Sequence, residues 1–154
     1  MAAEERVAQL GLEIPASSPA KAMYIPAKRI GDALFVSGQI PTTAAGALLH
    51  EGRAGAELTL EQAQECARQC AINILSVARG ELGSLDRVRS VVKLQGFVSS
   101  VDTFTDQHLV VNAASQLLFD VFGEAGRHAR TAVAVPCLPM GAPVEIEAIL
   151  EIGD

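Results

Sequence analysis

The longest helical pattern in the chain lies between Thr59 and Gly83. Its apolar residues recur three and four positions apart and so share one face of a helix; they are Leu60, Ala63, Ala67, Cys70, Ile74, Ala78 and Leu82. Thr59 followed by Gln62 is a capping box, in which the two side chains satisfy backbone N–H groups of the first turn. Gly83 can end the helix because glycine readily adopts the left-handed conformation. This segment predicts a long helix.

A second helical pattern runs from Asp106 to Phe122 and stops before Gly123. Its apolar positions form a stripe along one face of a helix: Val111, Ala114, Leu118, Val121 and Phe122. A glycine directly after the stripe is a typical helix stop. The segment therefore predicts a second helix of about four turns.

The N-terminal region predicts an extension of the domain. Residues Ala3 to Leu10 have Val7 and Leu10 on one side, as in a short amphipathic helix. A stretch rich in proline, serine and alanine follows and ends near Pro19. We expect residues 1–22 to pack against the domain as an extension.

Residues 24–36 contain two short strand-like runs. Three turn residues separate the runs: Arg29, Gly31 and Asp32. The pattern predicts a hairpin that starts at Tyr24 and ends in Ser37-Gly38-Gln39. A long loop then runs from Thr42 to Leu58.

Residues 88–98 favour a strand with two partly buried faces. One parity carries Val88, Val92, Leu94 and Val98, and the other carries Val91 and Phe97. After a loop from Glu124 to His128, two further strands close the chain. The order of elements after the extension is then ββαβαββ.

The last strand has two unlike faces. Val144, Ile146, Ala148, Leu150 and Ile152 alternate with Glu145, Glu147, Ile149 and Glu151. The order of elements indicates an α+β fold in which two helices cover one face of a mixed sheet. The other face, with Glu145 and Glu147, then needs water or a subunit interface that contains clefts.

Composition adds an expectation about assembly. The chain has 154 residues, of which 49% are hydrophobic and 19% charged, and it is long enough for one core and a single domain, residues 1–154. A small monomer of this composition exposes more apolar surface than it can readily hide. We therefore expect self-association.

The net charge of -6 and the pI near 5.0 argue against nucleic-acid binding, because phosphates favour clustered lysine and arginine.

The chain has an odd number of cysteines, Cys66, Cys70 and Cys137, and the first two lie four residues apart in the long helical pattern. They favour buried thiols in a reducing compartment over disulfides. The N-terminus lacks the apolar run of a signal peptide, and no stretch is long enough to span a membrane. We expect a cytoplasmic protein.

Several short motifs occur in the order found in a known family. They are Ser37-Gly38-Gln39-Ile40-Pro41, Asn112 in the second helix, Arg130 at the start of a strand, Leu138-Pro139, and Val144-Glu145-Ile146-Glu147-Ala148. Together they resemble the RidA/YjgF family, also called the endoribonuclease L-PSP-like group, over roughly Tyr24 to Ile152. The resemblance implies a homotrimer of chorismate-mutase-like fold with active sites between neighbouring subunits.

The resemblance also implies an activity. A 2-iminobutanoate/2-iminopropanoate deaminase-like hydrolase would convert enamines and imines such as 2-aminoacrylate to a keto acid and ammonia, without a metal or cofactor. Arg130 matches the family arginine that binds the substrate carboxylate, Glu145 the acid beside the attacking water, and Tyr24 the family tyrosine. Further residues are expected to bind substrate: Ser37, Gly38, Asn112 and Ala132.

Two positions depart from the family pattern. Ala132 stands where many members have a cysteine two residues after the arginine, so only its backbone N–H is available to a substrate. His128 replaces the proline that is usual two residues before the arginine. With the extension and the long loop, these departures resemble a longer branch of the family.

Each site residue also has a structural interpretation. From spacing alone, Arg130 is expected to form a salt bridge with Glu145 or Glu147 that holds two strands together. Glu145 can equally be a solvated carboxylate on an exposed strand. The remaining residues have similar alternatives: Tyr24 at the rim of a subunit contact, Ser37-Gly38 in a tight turn, and Asn112 as a helix-surface amide.

Three functions remain open at this point. The first is the deaminase, acting on a small imine or enamine. The second is a non-catalytic trimeric sensor that binds a small acid through Arg130. The third is an endoribonuclease, which conflicts with the acidic charge and with the lack of an aromatic and basic patch. His50, His108 and His128 lack the spacing of a metal site, so no metal is expected.

Overall fold

The computed structural model describes residues 1–19 and 22–153. The helices and strands of this part of the chain are α1 (Ala3–Gln9), β1 (Ala27–Ile30), β2 (Ala33–Gln39), α2 (Leu60–Leu82), β3 (Val88–Ser99), α3 (Gln107–Phe122), β4 (Ala129–Val135) and β5 (Val144–Ile152). Short 3₁₀ turns occupy 85–87, 123–126 and 139–141. The order after α1 is ββαβαββ, as predicted.

The strands form a mixed sheet in the order β1-β2-β5-β3-β4. β3 and β4 are parallel, since α3 connects them, and the other neighbouring pairs are antiparallel. The apolar parity of β5 is buried in the core: Val144, Ile146, Ala148, Leu150 and Ile152. The predicted α+β class is confirmed. The homotrimer stays a prediction.

Helix α2 begins and ends where the sequence predicts. Thr59 and Gln62 form both hydrogen bonds of the capping box, and Gly83 follows the helix with a φ of 80°. Residues 71–78 are all buried. A helix buried on every side must be covered on its outer face as well as on the face toward the sheet. None of the helices in 1–19 and 22–153 is both long and apolar enough to cross a membrane.

The N-terminal extension supplies part of this outer cover. The Glu4 carboxylate accepts hydrogen bonds from Nε of Arg79 at 3.0 Å and from the backbone N–H of Leu85 at 2.9 Å. Val7 is buried as predicted, but Leu10 lies beyond the end of α1 and is 49% exposed. Ala3, one turn before Val7, is the other buried residue of the helix.

The buried positions of β3 do not follow the regular alternation that the sequence predicts. Val91 is 2% exposed and Val92 is 45% exposed, the reverse of a regular strand that buries Val92 together with Leu94. The pairing with β5 shifts register between Val88 and Ser90 and again between Val91 and Lys93. A bulge adds a residue to one strand and so changes which side chains share a face.

The predicted hairpin exists, but its first strand starts later. Tyr24 precedes β1 instead of lying in it, and Arg29 belongs to β1. Gly31, with a φ of 56°, and Asp32 form the turn. β2 then includes the Ser37-Gly38-Gln39 motif.

The sheet face opposite the helices is partly apolar. Phe35 and Val133 are exposed, and Phe35 pairs across the strands with Ile149. Glu145 and Glu147 belong to the same parity of β5 as Ile149 and therefore lie on this open face. The predicted unlike faces of the last strand are confirmed.

Candidate functional site

A bulge in β2 places a carboxylate against a glycine. β2 leaves its ladder with β5 after Val36 and rejoins it at Gln39, so the intervening Ser37 and Gly38 face a single residue of β5. A Cβ at position 38 would lie 2.3 Å from Oε1 of Glu145. Glycine is therefore needed here for the close approach of the carboxylate.

Ser37 fixes the segment that leads into β1. Its Oγ donates a hydrogen bond to the carbonyl oxygen of Ile25 at 2.8 Å, and its backbone N–H donates to that of Pro26 at 2.8 Å. Gln39 Nε2 donates to the carbonyl oxygen of Ser37 at 2.9 Å. These bonds fix the chain just after Tyr24, while the Ser37 hydroxyl oxygen can still accept a hydrogen bond.

Glu145 differs from the solvated carboxylate that its strand position alone would favour. Its side chain is half-buried, and burial raises the pKa of its carboxyl above the ordinary value, with a further increase from the charge of Glu147. No lysine or arginine of the described residues forms an ion pair with it. A carboxyl with a raised pKa exchanges its proton closer to neutral pH, as general acid–base catalysis requires.

Glu145 lines a cavity with a volume of ≈ 670 Å³, which we name the acid cleft. Tyr24, Ser37, Gly38 and Glu147 line it as well. The cavity continues to residues of the N-terminal extension, of α2 and of the loop after β2. Tyr24 is 51% exposed and also lines a neighbouring cavity on the open face of the sheet, so its position fits both a substrate contact and an interface rim.

Arg130 lies in a second cavity, of ≈ 480 Å³, which we name the arginine cleft. Its Nη1 donates to Oδ1 of Asn112 at 2.8 Å and to Oγ of Ser115 at 3.1 Å, and its Nη2 donates to the carbonyl oxygen of His108 at 3.2 Å. Asn112 is thus a helix-surface amide that also orients the arginine. The α3 turn that carries these acceptors reaches β4 because Gly96 of β3 leaves room for Val111.

The predicted catalytic residues do not meet within one chain. Arg130 pairs with Leu94, which pairs with Ala148 of β5, so Arg130 shares the helix-covered face. Glu145 pairs with Phe97 on the opposite face. The salt bridge that spacing alone suggested between Arg130 and either Glu145 or Glu147 is therefore wrong, because the strands hold these side chains on different faces of the sheet.

Ala132 lies two residues after Arg130 on the same face of β4. It pairs with Gly96 and packs against the core. β4 is an edge strand, so part of its backbone hydrogen-bonding capacity faces away from the sheet. Its side chain is a methyl group, and Ala132 is not among the residues that line the arginine cleft.

The histidines and cysteines form no metal-binding group among the described residues. His50 Nε2 contacts Glu65 Oε2 at 2.8 Å. Burial raises the pKa of the Cys66 thiol to about 11 and that of Cys70 well above its usual value. Both are buried as predicted, whereas Cys137 is exposed, and all three are free thiols.

Two site residues were missed in the sequence, namely Asn73 and Ser76 of α2. Both are buried polar side chains that line the acid cleft. Their signal was the spacing of two polar residues three apart within an apolar helix, which puts them on one face. A polar pair buried in a core needs hydrogen-bond partners. Here the partners are backbone carbonyl oxygens in the walls of the cleft.

The sequence profile of a family described as "YjgF/chorismate mutase-like, putative endoribonuclease" matches residues 4–150. The chain belongs to the YjgF family. The match to the YjgF profile covers the acid cleft, the arginine cleft and nearly the whole N-terminal extension.

Relatives of this YjgF-family chain match over almost its full length. Protein TCP17 of Trypanosoma cruzi is 44% identical over 147 residues, which cover 95% of this chain and 91% of that protein. The structure of Atu1372 from Agrobacterium tumefaciens, of unknown function, is 44% identical with a TM-score of 0.91 and covers 98% of this chain and 92% of that one. A "putative endoribonuclease" from Shewanella oneidensis MR-1 is 29% identical with a TM-score of 0.94, covering 99% and 100%.

Proposed function

We propose that the protein hydrolyses reactive imines and enamines, such as 2-aminoacrylate, to a keto acid and ammonia. The observation that carries the proposal is the environment of Arg130, whose guanidinium is oriented by three neutral acceptors and by no described carboxylate. An arginine keeps its charge under these conditions. It can therefore bind the carboxylate of an imino acid through charge-assisted hydrogen bonds.

In this proposal the site forms between copies of the chain in a homotrimer. Arg130 and Glu145 can serve one substrate if the arginine cleft of one copy meets the acid cleft of its neighbour. The partly apolar open face, with exposed Phe35 and Val133, supports such an assembly because water-exposed apolar surface favours association. Sedimentation equilibrium tests it: a mass of three chains is expected, and a stable monomer at micromolar concentration would refute a shared site.

The proposed reaction consumes one water and needs no redox step. An enamine first takes a proton at its terminal carbon and becomes the protonated imine, which an imine reaches by taking a proton at its nitrogen. Water then adds to the carbon of the protonated imine and gives up a proton, the nitrogen of the resulting carbinolamine takes a proton, and ammonia leaves as the hydroxyl oxygen loses its proton and forms the carbon–oxygen double bond. Glu145 gives and regains the proton in these steps. Such general acid–base catalysis typically contributes about a hundred- to ten-thousand-fold in rate.

The test is the decay of 2-aminoacrylate generated in place by a dehydratase acting on serine. We expect the protein to accelerate the release of pyruvate and ammonia, and Glu145→Gln to remove most of the acceleration while the protein stays folded. Decay at the rate seen in buffer, with a folded wild-type protein, contradicts the proposal.

One observation favours a second candidate, a trimeric sensor of small carboxylic acids. Ala132 stands two residues after Arg130 on β4, so the chain keeps the binding arginine without a thiol at this strand position. A sensor would turn over no imine but would gain thermal stability with a keto acid, because a ligand that binds only the folded state stabilises it.

The net charge of -6 argues against the endoribonuclease alternative. We expect no cleavage of single-stranded RNA in the same preparation.

A further inference from the structure

The acid cleft extends beyond the residues that surround Glu145. The cavity that contains this carboxylate also reaches Pro15 and Ala16 of the extension and Val77 of α2. Its volume of ≈ 670 Å³ falls within the range of about 300–1,000 Å³ that encloses drug-sized ligands. A three-carbon imine would leave most of this space unfilled.

One wall of the inner part is the extension, and α2 fixes it in place. Ser76 Oγ donates a hydrogen bond to the carbonyl oxygen of Pro15 at 2.7 Å. One turn further along α2, Gly80 lets the extension approach closely, since a Cβ there would lie 3.0 Å from Cβ of Ser17. The ion pair between Glu4 and Arg79 holds the start of the extension on the same helix.

The facing wall is the chain after β2, and α2 fixes it too. Asn73 Nδ2 donates to the carbonyl oxygens of Ile40 at 2.9 Å and Thr42 at 3.0 Å. Gln69 Nε2 donates to the same Thr42 oxygen at 3.2 Å and to Oδ1 of Asn73 at 3.1 Å. The two buried polar residues of α2 therefore set the width of the chamber by holding opposite walls.

The hydrogen bonds of the walls leave a largely apolar interior. The hydroxyl groups of Ser37, Thr43 and Ser76, the amide group of Asn73 and one N–H of Gln39 donate to backbone carbonyl oxygens. Apolar side chains fill the lining between them: Pro15, Ala16, Ile40, Val77 and Met140. No lysine or arginine of the described residues lines the cavity. Such a lining favours an uncharged, apolar group.

We propose that this chamber, between the extension and the chain after β2, binds the side chain of the substrate, and that the preferred substrates are imines of amino acids with large apolar side chains. The proposal rests on the proposed imine hydrolysis. It assigns Pro15, Ala16 and Val77 to substrate discrimination, with Ser76 as a positioning residue that acts through the backbone of Pro15.

The test compares imines made in place by an amino-acid oxidase from alanine, leucine and phenylalanine, with semicarbazide trapping whatever imine remains. We expect kcat/KM for the leucine or phenylalanine imine to exceed that for the alanine imine at least tenfold. Turnover of the alanine imine with equal or higher efficiency overturns this inference and leaves imine hydrolysis standing. A folded protein that hydrolyses none of the three overturns both.

Two variants and a matched control locate the effect. Ala16→Trp places a large side chain in the wall, and the ratio of kcat/KM for the leucine imine to that for the alanine imine should fall about tenfold. Ser76→Ala releases Pro15 and should lower the same ratio. Ala8→Trp puts the same side chain on the exposed face of α1, outside the cavity, and should leave the ratio unchanged. An unchanged ratio in Ala16→Trp and Ser76→Ala refutes the assignment.

Binding gives a readout that does not depend on turnover. The product keto acids 4-methyl-2-oxopentanoate and pyruvate differ only in the side chain. We expect the first to raise the midpoint of thermal unfolding more than the second at equal concentration, and Ala16→Trp to remove the difference. Equal stabilisation of the wild-type protein by both acids counts against the chamber as a side-chain site.

Discussion

The carboxylate of Glu145 occupies the space that a side chain at Gly38 would need, with 2.3 Å between Oε1 and the position of a Cβ at residue 38. Gly38→Ala must therefore displace the carboxylate. We expect at least a tenfold loss of kcat in the imine assay, with the fold retained in circular dichroism. The control is Gly31→Ala, which has open space but a φ of 56°; it should lose on the order of 1–2 kcal/mol of stability and keep its activity. Full activity in Gly38→Ala would separate this carboxylate from the chemistry.

Arg130 and Glu145 have different proposed roles, and conservative substitutions should separate them. Arg130→Lys keeps a charge but loses the planar fork that bonds Asn112, Ser115 and the His108 carbonyl. We expect ligand binding to weaken by about 1–3 kcal/mol.

Glu145→Gln keeps the shape of the side chain but exchanges no proton, so it should lower kcat while a keto acid still binds. Steady-state kinetics together with calorimetric titration of the keto acid give both quantities for each variant. Two folded variants with wild-type kcat and affinity would reduce both residues to structural roles.

The raised pKa of Glu145 predicts a pH-dependent cost in stability. An acid whose pKa is higher in the folded state binds more protons when folded, so stability falls as the pH rises from 4.5 through the folded-state value. Glu145→Gln should therefore be more stable than the wild type at pH 7.5, and the difference should vanish near pH 4. Urea unfolding at the two pH values measures it. Glu5→Gln, on the exposed side of α1, controls for the loss of a charge.

Thiol modification should leave the activity intact. Cys66 and Cys70 are buried with raised pKa values, and position 132, two residues after Arg130, is an alanine. Iodoacetamide reacts with the thiolate form, so it should add a single group to the native protein, at exposed Cys137. Imine turnover should stay within about twofold. Mass spectrometry of the native protein counts the adducts, and Cys137→Ser should gain none. Complete inactivation of the folded protein would show that a cysteine takes part.

The fold could be predicted wherever local patterns determine the structure. The capping box at Thr59, the stop at Gly83 and the alternation of β5 all depend on neighbours in sequence, and the structure confirms them. Val92 could not be placed, because the register shifts in β3 arise from pairing with a distant strand. The prediction that Leu10 shares the buried side of α1 with Val7 was wrong because α1 ends one residue before Leu10.

The candidate site was predictable only in part. The motif with Gly38 and the acid at Glu145 could be found in sequence, and the structure brings these two residues together. That Arg130 would lie on the other face of the sheet follows from strand pairing, which spacing does not encode. Asn73 and Ser76 have roles that exist only through the distant backbone they hold.

The central claim is that one substrate is held by Arg130 of one copy and Glu145 of another, and mixed oligomers test it most directly. Arg130→Ala and Glu145→Gln chains, each inactive alone, carry different tags and are refolded together in equal amounts, and oligomers that contain both tags are purified. If each site combines the acid cleft of one chain with the arginine cleft of its neighbour, every trimer that contains both tags has one intact site, which is about a third of the wild-type sites. We expect imine turnover near that fraction of the wild-type value. Doubly tagged trimers with no more activity than either variant alone would contradict it.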